Sequence, residues 1–127
     1  MTDCLFCNPT SSENILQNEY CYARWSTFEV NEGHLLIVPF RHFGDYFEAT
    51  DEEKKATWDL VDQGKVLIES KYKPDGYNIG INIGQAAGQT IMHLHIHIIP
   101  RYKGDMEDPC GGVRGVIPHK QKYEVSK

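Results

Sequence analysis

The sequence lacks an apolar segment long enough to cross a bilayer, and its first residues, MTDCLFCNPT, lack the apolar run of a signal peptide. We therefore expect a cytoplasmic protein without a membrane partner. The sequence also lacks an excess of basic residues, because its formal net charge is −5 at pH 7. This balance argues against a general nucleic-acid binder, so local groups would have to hold any anionic ligand.

Cysteine is scarce, with four residues, and thiols stay reduced in the cytoplasm, so we expect no disulfide framework. Two catalytic patterns are also missing from the chain. There is no strand-turn-helix serine elbow, and no glycine-rich phosphate loop followed by Lys-Ser or Lys-Thr. The chemistries that depend on those patterns therefore lack their parts.

The pattern of apolar residues predicts an α+β domain with a mostly antiparallel sheet. With 127 residues, 40% of them hydrophobic, the chain can bury the core of one domain. The alternation of apolar and polar residues predicts a strand over 18–26, and a short apolar run predicts another over 33–40. Thr50 and the three acidic residues after it predict the start of a helix that continues to about Lys71. Two strands follow, the first over residues 77–84.

The strand predicted over residues 77–84 has one apolar face and one face of asparagine and glycine. The second face contains Asn78, Gly80, Asn82 and Gly84. Glycines at these positions permit close approach of a ligand or of another chain. The alternative is a weak, solvated sheet edge, and the alternation alone leaves both interpretations open.

Three histidines occur at two-residue spacing in the stretch GQTIMHLHIHIIPR. On one strand, His93, His95 and His97 would share a face, with the outer Cα atoms about 13 Å apart. Zinc binds histidine nitrogen at about 2.0–2.1 Å, so all three could hardly share one ion. A single histidine on a strand is usually solvated, but three at alternate positions suggest a catalytic or metal-binding role. A histidine nucleophile suits phosphorus because a covalent intermediate divides the displacement into two steps.

The stretch GQTIMHLHIHIIPR resembles the signature of the histidine triad family, and GHLLIVPFRH is similar to a second block of that family. The resemblance extends from about Cys4 to Arg101. It implies a five-stranded sheet with one long helix and a short one, in a single domain over residues 1–127. The core would span about 4–101 and a loop-rich tail 102–127. It also implies a nucleotide substrate and a homodimer.

The same resemblance implies a nucleotidyl hydrolase or transferase. His95 would attack the α-phosphorus, with its ring oriented by the backbone carbonyl of His93, and His97 would assist the leaving group. The residues that match the family's nucleotide-binding positions are Ser26, His34, Asn82, Gly88, Gln89 and Thr90. Ser26 stands where many relatives have Asp or Asn, and serine is the weaker acceptor for ribose hydroxyls.

Cys4 and Cys7 have the spacing of metal ligands, but two thiolates are only half of a tetrahedral site. A thioredoxin-like redox pair would need a βαβ setting that is absent here, and two incidental cysteines are a further alternative. Family members with this cysteine pair complete a zinc site with histidines that match His42 and His93. Such a Cys₂His₂ site would hold one structural zinc per chain, because no coordination position stays open.

The tail resembles that of members described as diadenosine-polyphosphate hydrolases, and it carries cations that could meet a polyphosphate. These are Arg101, Lys103 and Arg114, although solvated surface charges are the alternative. A nucleoside phosphoramidate hydrolase or a nucleotidyltransferase or phosphorylase would use the same triad. A nucleotide-binding module and a zinc-dependent interaction protein are the non-enzyme alternatives. We expect His119 on the surface and Cys21 in the core, and Cys110 has no assigned role.

Overall fold

The computed structural model describes residues 4–123, whose five strands form one antiparallel sheet beside one long helix. In chain order the elements are β1 (Leu16–Gln17), β2 (Cys21–Trp25), β3 (Leu35–Pro39), α1 (Asp51–Lys71), β4 (Gly76–Gly80) and β5 (Ile96–Arg101). The strand order is β1-β2-β3-β5-β4. The predicted α+β architecture is confirmed. No helix in the described part of the chain has both the length and the apolar character of a membrane span.

The expected second short helix is not formed by residues 4–123, where only 3-10 turns accompany α1. These turns are Tyr46–Glu48, Gln85–Ala87, Gly112–Val116 and Pro118–Lys120. In the tail, three glycines between residues 111 and 115 and Pro118 all oppose a longer helix. The last part of the predicted tail, residues 124–127, lies outside the described residues.

Helix α1 begins where its capping signal predicts. The Thr50 hydroxyl accepts the Glu53 N–H at 3.0 Å, and the Glu53 carboxylate accepts the Thr50 N–H at 2.8 Å. This reciprocal pair is a capping box. The same carboxylate pairs with Arg41 at 2.8 Å, although Glu53 is buried. The start of α1 is thereby fastened to the segment that follows β3.

One face of the sheet packs against α1. The buried strand residues of this core are Cys21, Ala23, Leu35, Ile37, Ile96 and Ile98. The burial of Cys21 confirms its predicted place in the core. On the helix, a Cβ added at Gly64 would lie 2.8 Å from Leu35 and 3.3 Å from Ile98. The glycine therefore allows α1 to lie close to β3 and β5.

The opposite face of the sheet carries a smaller apolar cluster beneath the N-terminal segment. Its buried members are Phe6, Tyr22, Leu36 and Val38. The three members on strands, Tyr22, Leu36 and Val38, alternate with the residues that face α1, as expected for a sheet covered on both sides. The remainder of this face borders an open cavity.

The last two strands are shorter than predicted. β4 ends at Gly80, and β5 begins at Ile96, so His93 and His95 precede the strand instead of continuing it. The register pairs Leu35 with Ile98 and, continued, would place Pro39 opposite residue 94. Proline has no N–H to donate to the neighbouring strand. The Pro39 carbonyl accepts a hydrogen bond from the side-chain Nε2 of His93 at 2.7 Å. The expectation of one strand through all three histidines is therefore wrong.

Candidate active site

A cavity of about 610 Å³ opens on the sheet face away from α1. Residues of β2, β3, β4 and β5 form its floor, and the tail turn Gly112–Val116 contributes one wall. Six of the residues predicted to be catalytic or nucleotide-binding line it: Ser26, His34, Asn82, Thr90, His95 and His97. His93 is not among the lining residues. The triad is thus divided between two environments.

The protonation of His95 is fixed by the backbone of its neighbour. Its Nδ1 atom lies 2.9 Å from the carbonyl oxygen of His93. A carbonyl only accepts, so Nδ1 carries the hydrogen and Nε2 keeps a lone pair. Burial lowers the pKa of His95 and so favours the neutral ring, and the hydrogen bond to His93 opposes this effect only in part. His95 therefore offers an unprotonated nitrogen to a ligand.

His97 has the opposite tautomer, and His34 imposes it. The Val30 N–H donates to Nδ1 of His34 at 3.0 Å, so the hydrogen of the neutral His34 ring is on Nε2. That nitrogen lies 3.0 Å from Nδ1 of His97 and donates to it. His97 must then carry its own hydrogen on Nε2. Two adjacent rings, with centroids 5.0 Å apart, thus present one acceptor and one donor.

Burial also keeps the neighbouring rings neutral. It lowers the pKa of His97 to about 4, and repulsion from His95 and His34 acts in the same direction. Burial likewise lowers the pKa of His34, with a smaller contribution from His95. Near neutral pH the three rings therefore carry no charge. The arrangement can attack an electrophile at one nitrogen and donate a hydrogen bond from the next.

His93, the first histidine of the triad, lies with the cysteine pair and His42. The ligand atoms of Cys4, Cys7, His42 and His93 all lie within 4.8 Å of one another. The Nδ1 atoms of His42 and His93 are 3.1 Å apart, and Cys7 Sγ lies 3.4 Å from the first and 3.5 Å from the second. These four residues could bind a metal ion.

The donor set fits zinc by both geometry and protonation. Bond lengths of about 2.0–2.1 Å for nitrogen and 2.3 Å for sulfur give tetrahedral edges of roughly 3.3–3.8 Å. The N–N and N–S separations of 3.1–3.5 Å lie close to the lower part of this range. The Nε2–H of His93 donates to the Pro39 carbonyl, which leaves the Nδ1 lone pair directed at the group. Burial and the nearby Cys4 raise the pKa of the Cys7 thiol, and a bound cation would reverse that effect.

Two predicted nucleotide-binding residues do not reach the cavity. Gln89 is buried, and its amide accepts the Gly84 N–H at 2.8 Å and donates to the Gly44 carbonyl at 3.0 Å. Gly88 adopts the left-handed conformation, with φ 95°, at an exposed position. Both residues shape the turn that leads to Thr90. Neither residue lines the cavity, and both influence it only through this turn.

The cations of the tail are not directed into the cavity. Arg101 donates to both carboxylate oxygens of Asp105, at 2.8 and 2.7 Å, and to Asn78 at 2.7 Å. Arg114 donates to the Lys120 carbonyl at 2.9 Å and stacks on Tyr123. Lys103 is exposed, and its backbone N–H donates to Asp75. His119 and Cys110 are exposed as well.

Comparison with known families decides where the chain belongs. The model of the HIT domain matches residues 9–104. The chain is a member of the HIT domain family. This HIT domain is 35% identical over 108 residues to "Protein hit" of Bacillus subtilis, covering 81% of this chain and 74% of the relative.

Two further relatives have names that describe activities. "AP-4-A phosphorylase" of Mycobacterium tuberculosis is 32% identical, over 72% of this HIT domain chain and 47% of the relative. "Bis(5'-adenosyl)-triphosphatase" of Dictyostelium discoideum is 35% identical, over 76% of this chain and 65% of the relative. This chain therefore spans only part of both relatives.

Solved structures of the family share the fold. A HIT family protein from Bacillus subtilis superimposes with a TM-score of 0.74 at 28% identity, covering 99% of this chain and 82% of that one. A Zn-bound histidine triad family protein from Mycobacterium smegmatis gives 0.68 at 29% identity, covering 78% and 72%. That protein binds zinc within the same overall fold.

The HIT domain cavity also contains residues that the sequence did not single out. Phe6 packs edge-on against His95, with ring centroids 4.9 Å apart. Arg24 lines the cavity from β2, and Phe28 and Val116 stand exposed at its rim. The one sequence signal for Arg24 is its place as a charged residue inside the otherwise hydrophobic run CYARW. The tail wall had no such signal, because its contacts join distant parts of the chain.

Proposed function

We propose that this protein is a nucleotidyl hydrolase that cleaves a dinucleoside polyphosphate at its α-phosphate. The observation that carries the proposal is the pair of opposite tautomers of His95 and His97 in one cavity. The relatives named AP-4-A phosphorylase and bis(5'-adenosyl)-triphosphatase support a substrate of this class. Hydrolysis is the finer part of the proposal, since one of these names describes a phosphorylase.

In the first step, the Nε2 lone pair of His95 attacks the α-phosphorus. A P–N bond forms and the bond to the leaving phosphate oxygen breaks, while the Nε2–H of His97 donates a hydrogen bond to that oxygen and stabilises the charge with which it leaves. The His93 carbonyl stabilises the positive charge that develops on the His95 ring, because it already accepts the Nδ1 hydrogen. The product of this step is a nucleotidyl-histidine.

In the second step, water attacks the same phosphorus and the P–N bond breaks. The His95 ring leaves as neutral imidazole, His97 keeps its Nε2–H throughout, and the proton released from the attacking water passes to solvent, so both rings return to their starting state. His34 keeps its hydrogen bond to Nδ1 of His97 in both steps, so it acts as a positioning residue. The two steps together release one proton, which comes from the attacking water.

Binding of the nucleotide is assigned to polar groups at the cavity. Ser26 offers its hydroxyl to the ribose, although that oxygen already accepts the Phe28 N–H at 3.2 Å. Asn82 and Thr90 line the cavity near the triad and would donate to phosphate oxygens. Gly88 and Gln89 would support this segment without touching the nucleotide.

We assign a structural zinc ion to Cys4, Cys7, His42 and His93. Four protein ligands leave no position for substrate, so the ion would supply stability and no acid catalysis. His93 connects the two sites, because its ring lies in the ligand group and its carbonyl holds His95. We also propose one catalytic domain, with a core over about 4–101, closed on one side by the tail.

A homodimer is the proposed working form. Static light scattering at micromolar concentration measures this directly, since one chain has a mass of 14.6 kDa. A particle of twice that mass is expected. A stable 14.6 kDa particle that turns over substrate would contradict it.

The covalent mechanism is tested by trapping and by stereochemistry. Rapid acid-free quenching after mixing with α-³²P-labelled diadenosine tetraphosphate should leave label on the protein that acid removes and base does not. A chiral α-thiophosphate substrate cleaved in ¹⁸O water should retain configuration at phosphorus, because two displacements each invert it. Inversion would show direct attack by water. The His95→Asn variant, which lacks the nucleophile, is the matched control for labelling.

The phosphorylase alternative differs only in the second step. Orthophosphate would replace water as the acceptor, and the relative of that name is the observation that favours it. Turnover with and without phosphate decides between them. ADP as a product only in the presence of phosphate would indicate a phosphorylase, whereas AMP under both conditions indicates a hydrolase.

A further inference from the structure

Arg24 differs from every other described residue that lines the cavity, because it alone carries a formal charge. Its side chain is 5% exposed, so this cation lies inside a mostly apolar wall. Leu5, Phe6 and Leu36 are its lining neighbours. A buried cation in contact with a cavity favours a ligand with acceptor atoms at that place.

The sheet register places Arg24 at a defined distance from the reacting histidines. Arg24 pairs with Leu36 of β3, and Leu36 pairs with His97 of β5. The three residues form one row across the sheet on the cavity side. Two strand spacings put the Cα atoms of Arg24 and His97 roughly 9–10 Å apart. That separation is comparable to the length of a mononucleotide from phosphorus to the far edge of its base.

The guanidinium group has donors to spare. Arginine carries five N–H donors. Nη1 donates to the Leu5 carbonyl at 3.2 Å, and Nη2 lies 3.6 Å from the Glu13 carboxylate, which is longer than a hydrogen bond. The hydroxyl of Tyr22 gives its own hydrogen to the Phe6 carbonyl and can accept one. Even if all three oxygens are served, N–H groups remain for a ligand.

We infer that Arg24 reads the edge of the nucleobase and selects a 6-oxopurine over adenine. This inference rests on the proposed function, which places phosphorus at His95. Ser26, two residues further along the chain and directly after β2, then meets the ribose, and the base lies over Leu36 and beside Phe6. A guanidinium can bind O6 and N7 of guanine together, whereas adenine offers N7 beside an amino group that is itself a donor.

The experiment compares kcat/KM for diguanosine and diadenosine tetraphosphate in three proteins. The unaltered protein is expected to favour the guanosine substrate by about tenfold or more, as a bidentate contact predicts. Arg24→Met should bring the ratio close to one. Glu13→Gln removes the carboxylate beside Arg24 and leaves the cavity unchanged, so it should keep the preference. A preference for adenosine in the unaltered protein, or an unchanged ratio in Arg24→Met, would overturn the inference.

A second measurement depends neither on catalytic turnover nor on any variant. Binding of GMP, IMP and AMP to the unaltered protein separates the contributions of the base atoms. IMP keeps O6 and N7 but lacks the 2-amino group, so it should bind as GMP does and more tightly than AMP. Equal affinities would reject the role of Arg24 while leaving the covalent mechanism intact. Conversely, inversion at phosphorus would reject that mechanism without affecting this order of binding.

Discussion

The Nε2 atom of His34 lies 3.0 Å from the Nδ1 atom of His97. Since the Val30 N–H occupies the other nitrogen of His34, the hydrogen bond is directed from His34 to His97. One backbone amide thus determines which nitrogen of a ring on another strand carries the proton. In the proposed mechanism, the donor to the leaving group is therefore set by a chain of two hydrogen bonds.

Replacing His34 with leucine should lower kcat by about tenfold or more, because His97 would no longer be held as the Nε2–H donor. The effect on KM should be smaller, since binding does not require that proton. His34→Gln retains an amide N–H that can donate, and it should recover part of the rate. Steady-state kinetics on both variants provide the test. Equal losses in both would indicate that His34 only fills space.

Replacing His95 with asparagine should lower turnover by roughly 10³-fold or more, as expected when a covalent nucleophile is lost. The fold and AMP affinity should persist, because the ring is not part of the α1 core. Circular dichroism and calorimetric titration check those two points. His119→Asn changes an exposed histidine and serves as control. A variant that keeps one tenth of the original rate would refute the nucleophile assignment.

Metal analysis of protein purified without chelator should give one zinc per chain. Cys4→Ser and Cys7→Ser should lose the metal and lower the melting temperature, since structural zinc contributes an apparent 10–16 kcal/mol, about the whole stability of a domain. Cys110→Ser changes an exposed cysteine outside the ligand group and should do neither. Metal-free protein of undiminished stability would contradict the assignment.

Stability should fall as the pH drops from about 6.5 towards 4. The pKa of His97 is lowered to about 4, mainly by burial, from an ordinary value of 6.5. In this interval the unfolded chain binds a proton that the folded protein does not, so acid favours unfolding. Urea unfolding at several pH values should show a shallower decline for His97→Asn. The control is His119→Asn, which changes an exposed histidine and, like His97→Asn, keeps all four metal ligands. Its loss of stability with falling pH should match that of the unaltered protein.

Arg114→Ala tests whether the tail cation meets the polyphosphate. The sequence suggested this contact, but the guanidinium bonds to the Lys120 carbonyl and stacks on Tyr123. We therefore expect faster proteolysis of the tail and an unchanged preference for diadenosine tetraphosphate over an adenosine phosphoramidate. Direct competition between the two substrates measures that preference. A selective loss of tetraphosphate cleavage would show that Arg114 moves to the phosphates.

Local patterns predicted most of the architecture. The capping signal at Thr50 and the apolar periodicity located α1, alternation located β2, and a short apolar run ended by Pro39 located β3. The start of β5 escaped prediction, because it depends on Pro39, which lies opposite the histidines only once the strands have paired. Gln89 matched a nucleotide-binding position, but its amide bonds to the backbone of Gly44, 45 residues away. Contacts between distant segments decide such cases.

Gly64 lies on α1, across the sheet from the cavity. The two side chains that it approaches, Leu35 and Ile98, directly follow His34 and His97 in the chain. The spacing of the two rings therefore depends on how closely the helix can lie against the strands behind them. A methyl group added at Gly64, on the far side of the sheet, is thus expected to disturb the hydrogen bond between His34 and His97 in the candidate active site.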